Sequence, residues 1–139
     1  MRFDHCCFKW LFGLLLALPL LGCGSGDNNV SATGKATYNG TPLTNGSITY
    51  HPDSSQGNSA GIMAASEIDG QGNYQITAPP GWYKVTVVVE KPRAAEGADA
   101  YALPEYLTPE KYASIESTPF SIELKPGADA GAYDLELTD

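Results

Sequence analysis

The chain is 139 residues long, with 16 acidic and 8 basic residues and a formal net charge of −8. A surface of that sign repels phosphate backbones and anionic headgroups, which argues against nucleic acid as a partner and against a polybasic membrane contact. The length suits one domain resting on its own core, and all three cysteines fall within the first 23 residues.

The chain opens with Arg2 and Lys9, a positive start tempered by Asp4, and an apolar run from Trp10 to Leu21. That run is shorter than the ~20 residues of a membrane-spanning helix. It suits the hydrophobic region of an export signal. The run ends Leu20-Leu21-Gly22-Cys23, which resembles the bacterial lipobox. The resemblance implies cleavage between Gly22 and Cys23 and lipidation of Cys23. Only a thiol forms the thioether to diacylglycerol, and a small residue before it lets the peptidase close on the bond. Residues 1–22 are then a lipoprotein signal peptide, 23–31 a polar, Gly-rich tether flexible by composition, and 32–139 the folded domain. Gly24 stands where an Asp would retain a lipoprotein in the inner membrane, so the expected location is the outer membrane of a bacterial envelope. Cleavage would remove Arg2, Lys9 and Asp4, taking the net charge from −8 to −9. Cys6 and Cys7 would leave with the signal and Cys23 would carry lipid, so no disulfide can form in the mature chain.

From Val30 the pattern has a period of two. In "VSATGKATY", Val30, Ala32, Gly34, Ala36 and Tyr38 share one face. Asn39-Gly40 and Asn45-Gly46 are tight-turn pairs. "SITYHP" turns Ile48 and Tyr50 inward, with Ser47, Thr49 and His51 outward. "GIMAASEID" groups Ile62, Ala64 and Ile68, and "NYQIT" groups Tyr74 and Ile76. "WYKVTVVVE" places Tyr83, Val85, Val87 and Val89 inward and Lys84, Thr86 and Glu90 on the wet face. "PFSIEL" gives Phe120, Ile122 and Leu124, and "AYDLEL" gives Tyr133, Leu135 and Leu137. Such alternation predicts strands with one buried and one wet face. Seven short strands with turn signals between them predict an all-β fold, an antiparallel Greek-key sandwich. Residues 91–117 interrupt the pattern with a long Pro-rich loop, and Thr108-Pro109-Glu110 suits one helical turn with Thr108 as cap.

Two motifs carry a family resemblance. In "GKATYNGTPLTNGSITYHPD", Gly34, Gly40, Pro42, Leu43, Gly46, Ile48 and Tyr50 fall on the opening pattern of the carboxypeptidase regulatory-like, or transthyretin-like, domain. In "DGQGNYQITAPPGWYKVTV", Asp69, Gly72, Tyr74, Ile76, Pro80, Gly81, Tyr83 and Val85 match its second signature. The segment "PEKYASIESTPFSIELKPG" resembles the tail of small lipid-anchored bacterial proteins built on this domain. The resemblance implies a seven-stranded, transthyretin-like sandwich without a catalytic centre of its own.

The residues themselves offer little chemistry. The expected mature chain has His51 as its one histidine and no free thiol, which leaves a zinc site short of ligands. No spacing selects a nucleophile for His51. Asp69, Gln71 and Asn73 alternate like the start of a calcium loop, but Pro80 occupies the twelfth position where a bidentate Glu is needed. No metal, cofactor or catalytic residue is therefore expected. Trp82, Tyr101, Tyr106 and Tyr112 are the candidate contact residues. They suit stacking on sugar rings, or, in the favoured reading, the loop tyrosines pack on the sandwich and cover an edge strand. The expected role is a lipid-anchored, non-enzymatic module for an envelope protein or glycan. The alternative is a carbohydrate-binding module that uses the Tyr-rich 91–117 loop.

Overall fold

Where small, β-branched and aromatic residues alternate with polar ones, the chain forms strands. The computed structural model describes residues 28–59, 61–92 and 103–139. They contain eight strands: β1 (Val30–Tyr38), β2 (Thr41–Pro42), β3 (Ser47–Pro52), β4 (Ala64–Glu67), β5 (Asn73–Ala78), β6 (Gly81–Val88), β7 (Ser121–Leu124) and β8 (Leu135–Leu137). One sheet is built around β1, with β2, β5 and β8 as its neighbours; the other runs β4-β3-β6-β7. Their inner faces meet in a single core. Ile48, Tyr50, Tyr83, Val85, Val87 and Val89 come from one side, and Ala32, Ala36, Ile76, Leu135 and Leu137 from the other. The fold is an all-β sandwich, as the alternation requires.

The strand count differs from the expected seven by the two-residue β2. Asn39 (φ 48°) and Gly40 (φ 79°) both take positive φ, as a two-residue hairpin turn requires, and return the chain so that Tyr38 pairs with Thr41. The pairing is antiparallel with one exception. β8 lies parallel to β1, Ala36 beside Leu135 and Tyr38 beside Leu137. After β7 the chain crosses to the other sheet through residues 125–134 and enters it in the direction of β1. Gly34, grouped with the inward residues, is there because nothing larger fits. A Cβ would stand 2.3 Å from the Tyr133 carbonyl oxygen and 2.8 Å from Cε1 of Tyr74.

Three sequence expectations are corrected. Ile62 does not face inward; β4 begins only at Ala64, and Ile62 and Met63 stand 68% and 60% exposed. Two consecutive large apolar residues cannot both follow a period of two. Thr86 is not on a wet surface; it is 5% exposed, directly opposite Thr49 on β3, with its hydroxyl 3.0 Å from Nε2 of His51. The middle of a four-stranded sheet is shaded by its own neighbours even on the outer face. Thr108 is buried and does not cap a turn. The 3₁₀ turn runs Glu110–Tyr112, with Pro109 in the cap position and no side-chain cap bond.

β1 runs from Val30, paired with Ala78, to Tyr38. The Val30 end carries the Pro79-Pro80 link into β6, the end of β3 and the end of β7. The Tyr38 end carries the Asn39-Gly40 turn, the Asp69–Asn73 turn and the exit of β6 into the long loop.

Candidate binding surface

The long loop leaves β6 after Val88, and its return is anchored to the residues just past that strand. The Leu107 N–H donates to the Val89 carbonyl at 2.8 Å, and the Lys91 N–H to that of Glu105 at 2.8 Å. Glu90 and Tyr106 pair as an antiparallel bridge. Residues 105–107 thus pair with residues 89–91, just past the end of β6, which leaves that stretch with a paired edge. Lys91 and Glu105 also form an exposed ion pair at 3.0 Å, of small worth in water. Further on, the Thr118 hydroxyl donates to the Val85 carbonyl at 2.6 Å.

This anchoring divides the tyrosines. Tyr112 is 3% exposed, stacks on Phe120 at a centroid distance of 5.4 Å, and its hydroxyl donates to the Thr138 carbonyl at 3.0 Å. It is core, packed on the sandwich as the favoured reading has the loop tyrosines, and its ring is not free for contact: the 3₁₀ turn aims it inward. Tyr106 remains exposed, and with it Leu107 and Leu103, the latter 87% exposed. Trp82 is half-buried at the opposite, Val30 end and does not join them. Tyr101, Gly22 and Cys23 lie outside the described residues. Leu103 and Leu107 were not singled out from the sequence. The available signal was "ALPEYLTPE", apolar residues set between prolines with no strand period to bury them.

The polar candidates are occupied by structure. Asp69 Oδ1 accepts from the N–H groups of Gln71 and Asn73, each at 2.8 Å, and Oδ2 from Asn73 Nδ2 at 3.0 Å. Those bonds hold its carboxyl below the ordinary range, the Asn73 side chain contributing most. The carboxylate closes the turn between β4 and β5. His51 faces outward as expected, with its Nε2 engaged by Thr86, and burial lowers its pKa. An open groove of about 810 Å³ crosses β1 and β5, lined in part by Thr33, Lys35, Gln75 and Asp134. Asp134 there accepts from the Lys35 N–H at 2.8 Å. Among the described residues no group of three or more His, Cys, Asp or Glu is placed to hold a metal ion.

A buried tyrosine chain joins the sheets. Tyr74 donates its proton to the Tyr133 carbonyl, so Tyr50, 2.9 Å away, donates to the Tyr74 oxygen. Burial pushes the Tyr50 hydroxyl up to about 12 and raises that of Tyr74 further. Both are proton-holding struts, ionised only in strong alkali. No family model, curated protein or solved structure matches the chain.

Proposed function

We propose that this chain is a non-enzymatic envelope lipoprotein, anchored through Cys23, whose sandwich presents the 103–107 segment to a protein partner. The anchor rests on the order of positive start, short apolar run, Gly22 and Cys23. Gly24 favours the outer membrane in cells that sort on that position. The resemblance to the carboxypeptidase regulatory-like domain, with its Greek-key topology, fits an all-β module that binds rather than reacts. The polar groups best suited to chemistry, Asp69 and His51, are engaged in a turn and a strand contact.

The observation that carries the binding reading is the exposure of Leu103, Tyr106 and Leu107, the last two on a stretch whose backbone is paired with residues 89–91 just past β6. Apolar side chains on a pre-ordered backbone bind without a large ordering cost. The two aliphatic groups beside Tyr106 fit an apolar protein surface. The carbohydrate-binding alternative keeps Tyr106 and Tyr101, the latter outside the described residues, and loses Tyr112, which is buried.

Crosslinking and pulldown from intact envelopes tests the reading. The native chain should capture a defined protein, and Leu103→Asp with Leu107→Asp should release it while the melting temperature holds. Glycan-array binding that depends on Tyr106, with no protein captured, would favour the carbohydrate reading instead.

A further inference from the structure

We infer that the Val30 end of the sandwich lies against the bilayer surface, with Ile62, Met63 and Trp82 as its lipid contacts; the inference rests on the anchor at Cys23 proposed above. Six residues separate Cys23 from Val30. Fully extended, that connection spans at most about 25 Å, at roughly 3.3–3.6 Å per residue. β1, with nine residues, is itself about 30 Å long at roughly 3.3 Å per residue. An anchor at Cys23 therefore brings the Val30 end to the membrane, and reaches the other end only if the molecule tips over.

The register fixes what the Val30 end carries. Val30 pairs with Ala78, and Pro79-Pro80 lead straight into β6, so Trp82 lies at this end. Ala64 pairs with Tyr50, and Pro52 with Tyr83, so Met63 and Ile62, which precede Ala64, extend toward the same end. Asn58 ties the two segments together. A Cβ on Gly61 would stand 2.4 Å from its Oδ1, and one on Gly81 2.9 Å from its Cγ. Ile62 and Trp82 thus each follow a glycine held against one side chain. Ile62 and Met63 are exposed apolar groups with no cover among the described residues, and Trp82 is half-buried. An indole with one apolar and one wet side suits a membrane interface.

Charge separates along the same axis. Glu67, Asp69, Glu90 and Asp139 belong to the Tyr38 end. At the Val30 end Lys84 and Lys125 stand against Glu123, the buried Asp53 and Asp27 of the tether, a smaller acidic excess. Repulsion from anionic headgroups is therefore weakest where the apolar side chains stand. This orientation also turns the 103–107 segment away from the membrane, toward a partner.

The sequence supplies a probe. Trp10 departs with the signal peptide, which leaves Trp82 as the single tryptophan. The acylated protein, its lipid confirmed by mass, is reconstituted in phosphatidylcholine–phosphatidylglycerol vesicles whose acyl chains are brominated near the headgroup. Trp82 emission should shift to the blue and lose intensity relative to unbrominated vesicles. Ile62→Asp with Met63→Asp should reverse both changes without lowering the melting temperature. A dye on Leu107→Cys should show no quenching. Acylated protein with unquenched Trp82, or with the Leu107→Cys dye quenched instead, overturns the orientation. Protein without an acyl chain on Cys23 overturns the anchor itself, and the orientation with it.

Discussion

Val87 and Thr86 are neighbours on β6 that face opposite sides of their sheet, yet both are buried. An alternation pattern assigns Thr86 to solvent because it reads faces and not neighbours. Thr49 and His51 close over it, so a carboxylate there loses its water and can be compensated only by protonating the His51 ring beside it. Thr86→Asp should accordingly destabilise by several kcal/mol, on the order of 2–5, and Val87→Asp should abolish folding. Thermal melts check both; a Thr86→Asp melt equal to that of the parent would contradict the packing described. The tyrosine chain gives a second expectation. Tyr74→Phe strands the Tyr133 carbonyl and should cost about 1–3 kcal/mol. The folded pKa of Tyr50, about 12, lies above its ordinary value of 10.0. The stability this contributes is complete below pH 10.0 and is lost as pH rises through 12, since the unfolded chain releases its proton first. Alkaline denaturation should begin in that window, and Tyr50→Phe should lessen its steepness while the Tyr74 share remains.

The elements were legible wherever their period was local. Strands form in the segments where one wet and one buried face write a period of two into the residues. β2 escaped notice because Thr41–Pro42 is too short to carry a period. The parallel pairing of β8 with β1 escaped because it joins segments about a hundred positions apart, and no local pattern encodes it. In the 103–118 segment, Tyr106 and Tyr112 look alike in sequence, and only the 3₁₀ turn separates an exposed ring from a core one. The turn between β4 and β5 was legible, since Asp69 and Asn73 bracket a glycine at φ 87°. Asp69→Ala should lower the melting temperature at neutral pH. Because the folded carboxyl is depressed, the difference between parent and variant should shrink as pH falls through that lowered pKa. At β1, Gly34→Ala forces a methyl group onto the Tyr133 backbone and should cost about 1–3 kcal/mol.

At the scale of the molecule, the two ends of the sandwich have different jobs under the proposed function. One end receives the tether and carries Ile62, Met63 and Trp82; the other releases the loop that shows Leu103, Tyr106 and Leu107. The candidate surface was half legible: the loop stood out by length and proline content, whereas its exposed members depended on how residues 105–107 pair with residues 89–91. Everything proposed about location and orientation depends on one thioether at Cys23. Metabolic labelling with a fatty-acid analogue, read alongside the intact mass, tests it most directly. The parent should be labelled and should begin at Cys23, while Cys23→Ala should be unlabelled and remain as precursor or soluble protein. Equal labelling of the two, or a mature parent that carries no acyl chain, would contradict the account.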